Sequence, residues 1–124
     1  MNIIIRNASD KPIYEQIAAQ IKDQILSGSL QAGDALPSMR VLARELRISV
    51  ITTKRAYEDL ERDGFIETVV GKGSFVAQKN TEFLREEALR RMEQALQSAV
   101  DIARRSGISD AQVQSALALL LEGE

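Results

Sequence analysis

Ile48-Ser49-Val50-Ile51-Thr52-Thr53-Lys54-Arg55 is the stretch whose reading decides the fold. Ser49 is a residue type that caps a helix N-terminus, because its hydroxyl can accept a hydrogen bond from a free first-turn amide. The residues after it continue as a helix to about Asp63, with Ala56, Tyr57 and Leu60 on its inner face. Ser49, Thr52, Thr53, Lys54 and Arg55 occupy its first turns, whereas Glu58, Asp59, Glu61 and Asp63 gather in its distal half. A helix divided in this way presents its start, not its end, to a polyanion.

Working outward, Arg47-Ile48-Ser49 reads as a tight turn out of an earlier short helix. Pro37-Ser38 opens that helix, with Ser38 as its cap. Val41, Leu42 and Leu46 are expected to face inward, and Arg40, Arg44 and Arg47 to lie on other faces. On the other side, Gly64 stops the third helix. Phe65 to Val70 and Ser74 to Ala77 are β-branched or aromatic runs separated by Gly71-Lys72-Gly73, the pattern of a hairpin with a glycine tip. Helix, turn, helix and hairpin in this order make a winged helix-turn-helix.

Upstream, Ile13, Ile17, Ile21 and Ile25 recur every four residues, with Ala18 on the same face, which gives an amphipathic first helix. It is expected to start at Pro12 with Asp10 as its cap, and to stop at Ser27-Gly28-Ser29. Leu30 to Leu36 is a connector with a turn at Ala32-Gly33-Asp34. Residues 1–11 read equally well as an extended arm or as an extra strand.

Downstream, Asn80 or Thr81 caps a helix of about 24 residues that runs until Gly107. Its stripe is Leu84, Ala88, Met92, Ala95 or Leu96, Ala99 and Ala103. Small residues there allow a second helix to approach closely. Ser109-Asp110-Ala111-Gln112 has capping-box spacing and opens a last helix with Val113, Ala116, Leu117, Leu120 and Leu121. An apolar face on a two-helix hairpin needs a cover. Self-association through Leu84, Ala88, Met92, Ala95, Leu96, Ala99, Ala103, Leu117 and Leu120 is the expectation, against folding back onto the same chain. The fold class is mainly α with a small β-hairpin: a winged helix-turn-helix domain over 1–79 and a dimerisation hairpin over 80–124.

Composition narrows the function. The 124 residues include no Cys and no His, which removes thiolate chemistry, the commonest general base and the commonest metal ligand. No convergent carboxylate pair or phosphate-cradling loop stands in for them. An enzyme is disfavoured, and no cofactor or metal is expected. No apolar run reaches the length of a membrane span, and the N-terminus lacks a signal-peptide pattern, so a cytoplasmic location is expected. The net charge is −2, but it is unevenly spread. Residues 1–79 hold 11 basic and 10 acidic side chains, and residues 80–124 hold 5 and 8. Between Ser38 and Ala56, Arg40, Arg44, Arg47, Lys54 and Arg55 face a single acid, Glu45. Positive charge concentrated on a helix-turn-helix points to double-stranded DNA as partner.

Leu36-Pro37-Ser38-Met39-Arg40 with Leu42-Ala43, Thr52 to Glu61, Asp63-Gly64-Phe65-Ile66 and Gly71 to Val76 together resemble the GntR family of bacterial winged helix-turn-helix regulators. Pro12 to Ile17 and Gly33-Asp34 fit the same pattern, so the likeness covers about residues 11–79. The short helical tail resembles the YtrA-like subgroup. The 45 residues after Lys79 are too few for the ligand-binding domain of the larger subgroups. The resemblance implies a dimeric repressor on a palindromic operator, in this subgroup often of operons for ABC transporters. Carried over by position, it puts DNA contacts on Arg40, on Ser49 to Lys54, and on Gly71. Two departures stand out. The family often has a polar or basic residue where Val50 and Ile51 stand, and usually valine or leucine at Thr53.

The residues suggest these roles. Arg40 grips a phosphate or a guanine edge. Thr52 and Lys54 touch the backbone or bases, and Lys72, between Gly71 and Gly73, reaches a minor groove or a phosphate. Arg44 and Arg55 are phosphate-facing charges or partners in intrachain ion pairs. Thr53 is equally a contact or a core substitution. Val50 and Ile51 can touch a thymine methyl but cannot hydrogen bond to a base. Ser38, Ser49 and Gly73 complete the expected DNA face. The alternative is a winged-helix protein-interaction module without sequence-specific DNA binding. Nothing in the residues demands a small-molecule effector, although Tyr14, Tyr57 or Phe83 offers a place for one.

Overall fold

Ile17, Ile21 and Ile25 share one side of a helix, and that side is the centre of the core: they are 0%, 0% and 6% exposed. The computed structural model describes residues 1–78 and 81–123. Its elements are α1 (Ile13–Leu26), α2 (Met39–Leu46), α3 (Val50–Arg62), β1 (Ile66–Val69), β2 (Gly73–Val76), α4 (Thr81–Arg105) and α5 (Asp110–Glu122). They form two compact units, Met1–Leu84 and Arg85–Glu124.

In the first unit α1 and α2 both pack on α3, and α3 packs on β1. Ala56, Tyr57 and Leu60 of α3 meet the isoleucine stripe of α1 together with Leu42, Phe65, Ile66 and Val76. Each large aliphatic or aromatic side chain buried this way contributes roughly 1.5–3 kcal/mol. Val41 departs from expectation: it is 37% exposed, and Ala43 is the residue buried beside Leu42. In a helix of 8 residues the core-facing stripe is narrow, and Val41 sits at its edge.

Helix ends follow their sequence signals, with exceptions at α1 and α4. The N-cap of α1 is Pro12 and no side chain caps it, so Asp10 does not take that role. Proline fixes φ and brings no amide that would need a partner, which suits it to a helix entry. Of the two caps expected for α4, Asn80 lies outside the described residues and Thr81 is already helical. The capping box of α5 is complete, with the Ser109 hydroxyl accepting from the Gln112 amide and the Gln112 side chain accepting from the Ser109 amide.

The connector before α2 has a second job. The Gly33 and Leu36 amides donate to Val76 O and Ser74 O, each at 2.9 Å, and Val76 N donates to Asp34 O at 2.8 Å. Ala35 thereby forms an antiparallel bridge to Phe75. The wing hairpin, in which Ile66 faces Val76 and Val69 faces Gly73, is thus anchored along its outer strand.

Residues 1–11 form an arm clasped by a row of glutamines on α1. Gln20 Oε1 accepts from Ile4 N at 2.9 Å and Gln20 Nε2 donates to Ile4 O at 2.7 Å. Gln16 does the same for Arg6, at 2.8 and 3.1 Å, and also donates to Lys11 O at 2.9 Å. Gln24 Nε2 donates to Asn2 O at 2.8 Å. Residues 16, 20 and 24 repeat with the helix, while 6, 4 and 2 repeat with an extended strand, so the two periods mesh. Each amide side chain serves the arm as a neighbouring strand would. The alternate residues Ile3 and Ile5 turn toward the core.

In the second unit, helical residues from Arg85 onward and α5 are joined at Gly107, whose φ of +69° suits glycine. Ile108 N donates to Ala103 O at 2.9 Å across this turn. Among the described residues, no helix is long and apolar enough to cross a membrane.

Candidate nucleic-acid interface

Two capped helix starts define the face. Ser38 Oγ accepts from Val41 N at 3.1 Å, and Ser49 Oγ accepts from Thr52 N at 3.1 Å. The Ser49 and Thr52 hydroxyls also bond to each other at 2.8 Å. Between the helices Arg47 takes the left-handed conformation, with φ +58° and ψ +48°. Its amide bonds back to Ala43 O and Arg44 O, closing α2 so that Ser49 can open α3. This geometry costs on the order of 1 kcal/mol for a residue with a Cβ.

Tyr57 ties the pair together. Its ring is in the core, and its hydroxyl donates to Pro37 O at 2.7 Å, holding the entry of α2 against the middle of α3. Burial, and secondarily the charge of Glu45, push the hydroxyl well above its ordinary pKa. It therefore stays a donor throughout the ordinary pH range.

Arg40, Arg44, Val50, Ile51 and Lys54 are all exposed, and Thr52 is half-buried. Among the described residues, no carboxylate lies within ion-pair distance of Arg40, Arg44, Lys54 or Lys72. The opposite end of α3 is different. Lys22 binds Asp63 at 2.9 Å, and Arg62 binds Asp59 at 3.1 Å and Asp63 at 3.5 Å. The hydrogen bond from Lys22 leads the causes that hold the Asp63 carboxyl below its usual range. Unpaired cations at the start of α3 and on α2, set against an acidic far end of α3 whose cations are already paired, make a directional surface for phosphate.

Arg55 differs from this group in having an aromatic partner. Its guanidinium lies 3.8 Å from the centroid of the Tyr14 ring, stacked on α1. That is an intrachain contact, with an aromatic ring rather than the carboxylate of an ion pair as partner, and the side chain stays exposed. Thr53 leaves the interface altogether. It is 0% exposed, and its hydroxyl donates to Ser49 O at 3.3 Å. The helical period that turns Ala56, Tyr57 and Leu60 inward carries residue 53 with them, so it cannot reach DNA.

At the wing the tip is Val70-Gly71-Lys72, one residue earlier than expected, because Gly73 is already paired with Val69. Lys72 N donates to Val69 O at 2.9 Å, and Gly71 has φ +78°. Lys72 is exposed there, next to a Val70 that is 96% exposed. Arg47 and Val70 were not singled out from the sequence as site residues. The charge run of residues 40–55 contains Arg47 but does not show that its backbone makes the turn. Val70 reads as the end of a strand until the register is known.

The aromatic residues considered for an effector are mostly occupied: Tyr57 by the core and Tyr14 by Arg55. Phe83 packs edge-on against Phe65 at 5.8 Å and borders an apolar cavity of about 220 Å³, which Ile25, Leu30 and Val76 also line.

In the hairpin unit, Leu89, Met92, Leu96, Ile102, Leu117 and Leu120 are between 41% and 73% exposed. Ala88, Ala95 and Ala99 lie exposed among them. Two residues expected on that face are elsewhere. Leu84 packs against the core of the first unit, and Ala103 is 5% exposed within the hairpin. The carbonyl of Ala103 accepts from Ser106 N and Ile108 N at the turn between the two helices.

Comparison with known proteins agrees with this geometry. Residues 13–76 match the family described as bacterial regulatory proteins, gntR family. Over 100 residues the chain is 36% identical to the HTH-type transcriptional repressor YtrA of Bacillus subtilis (strain 168), covering 81% of this chain and 77% of that protein. It is similar to the solved structure of a GntR family transcriptional regulator from Listeria monocytogenes, with a TM-score of 0.79 at 28% identity over 91% of this chain and 96% of that one. It is also similar to the crystal structure of AraR(DBD) in complex with operator ORX1, with a TM-score of 0.55 at 25% identity over 62% and 96% of the two chains.

Proposed function

The chain belongs to the gntR family of bacterial regulatory proteins, and we propose that it is a homodimeric repressor that binds a palindromic operator. It is a DNA-binding transcription regulator and not an enzyme. Residues 1–79 form the DNA-binding domain and residues 80–124 the dimerisation hairpin. The protein works in the cytoplasm.

The start of α3 enters the major groove, Arg40 and Arg44 of α2 grip the flanking phosphates, and Lys72 follows the backbone from the wing. A dimer presents two copies of α3 about one duplex turn, ~34 Å, apart and so favours a site with two-fold symmetry. The observation that carries the reading is the set of exposed cations, Arg40, Arg44, Lys54 and Lys72, without acidic partners among the described residues. The exposed apolar face of the hairpin supports the dimer, because a free face of that kind in water favours self-association.

A salt titration tests this. Binding of the full chain to duplex DNA should weaken steeply between 50 and 200 mM salt, with log K falling linearly in log salt. Arg40→Ala should lower affinity several-fold and reduce the slope by about one. A slope near zero, or an Arg40→Ala variant with full affinity, would refute the DNA face and favour a protein-interaction module.

A further inference from the structure

We propose that Val50 and Ile51 read thymine in the operator through its C5 methyl group. The inference rests on the reading of the chain as an operator-binding dimer and adds how the tip of α3 distinguishes bases.

The first turn of α3 offers few hydrogen-bonding groups to a base edge. Ser49 and Thr52 bond to each other at 2.8 Å, which uses one of their two hydroxyl hydrogens. Ser49 Oγ additionally accepts from Thr52 N. Thr53 is buried, and Arg55 lies on Tyr14. Bidentate recognition of guanine or adenine needs Arg, Lys, Asn or Gln at the groove, and none of these stands between Ser49 and Thr53.

What projects instead is apolar. Ile51 is 80% exposed and Val50 is 43% exposed, side by side at the second and first positions of the helix. Isolated surface aliphatics are ordinary. These two are not isolated, because the same helix start carries the exposed cation Lys54, and the preceding helix α2 carries the exposed cations Arg40 and Arg44. A hydrophobic protein partner would be poorly matched to that charge, whereas a polyanion is well matched. The major groove of a polyanionic duplex offers one apolar group, the thymine methyl.

The consequence is a preference for T·A pairs under the start of α3, with discrimination set by methyl contact. Removing one buried methyl corresponds to about fourfold in affinity, from ~0.8 kcal/mol per buried methylene.

The test starts from duplexes enriched by the full chain from a randomised pool. Each thymine of the enriched duplex is replaced in turn by deoxyuridine, which lacks only the methyl group. Wild type, Val50→Ala and Ile51→Ala are then titrated against the series. Both positions are exposed, so the variants retain the fold. We expect uracil at one or two positions per half-site to weaken wild type about fourfold. Ile51→Ala or Val50→Ala should weaken binding by a similar factor and abolish the uracil effect at its own thymine. Uracil that is neutral everywhere, or an effect of equal size in wild type and both variants, overturns the methyl reading and leaves the regulator intact. A pool from which no duplex is enriched overturns both.

Discussion

The two units of this chain solve the problem of burial differently. In Met1–Leu84, α1, α2, α3 and the wing close around a single core in which Ile17, Ile21, Ala56 and Leu60 are fully buried. In Arg85–Glu124, Ala103 is the one buried hydrophobic among the described residues, and α5 buries none of its side chains. Both units are helical and both have well-formed caps, so local structure does not separate them. Three layers packed on a central helix can enclose side chains, whereas two helices can share only one seam. The first unit encloses a core of its own, and the second leaves apolar surface exposed.

The largest expected effect breaks the second unit. Leu117→Glu together with Leu120→Glu places charge on the exposed face and should turn the proposed dimer into a monomer by analytical ultracentrifugation. The helical content by circular dichroism should stay close to wild type, and operator affinity should fall by two orders of magnitude or more, since avidity from the second half-site is lost. A variant that remains dimeric would move the interface elsewhere.

The next effect tests whether the first unit stands alone. Leu60 is 0% exposed at the contact of α3 with α1. Leu60→Ala should cost about 2–5 kcal/mol in chemical denaturation. The association state at fixed concentration should not change while the protein is folded. Coupled loss of stability and dimerisation would show that the two units do not divide these tasks.

The smallest effect concerns the far end of α3. Asp63 is held below its ordinary pKa first by the hydrogen bond from Lys22, so its contribution favours the folded state when the carboxyl is ionised. That contribution is present above the unfolded-state pKa and disappears as pH falls through the lowered folded-state value. Both partners are partly exposed, which limits the effect to about 1 kcal/mol or less. Asp63→Asn should therefore cost no more than this at neutral pH, nothing in strong acid, and no operator affinity. A loss of DNA binding in Asp63→Asn would contradict the directional charge of α3.

The sequence by itself determined the order of elements, because their signals are local. Ser38, Ser49 and the Ser109–Gln112 box mark helix starts through hydrogen bonds within one turn. The isoleucines of α1 declare a buried face through their spacing alone. The segregation of Arg40, Arg44 and Lys54 from the distal acids of α3 is likewise written in the residue order.

Only the tertiary structure decided where intermediate residues fell. Thr53 could be a contact or part of the core until its full burial was seen, and Arg55 showed no partner in the sequence until Tyr14 was placed against its guanidinium. Residues 1–11 could be an arm or a strand until Gln16, Gln20 and Gln24 were placed opposite their backbone groups. The wing tip shifted by one residue because strand register depends on a partner strand. Each of these outcomes depends on groups far apart in the chain, whose meeting is fixed by packing and carries no short-range signal.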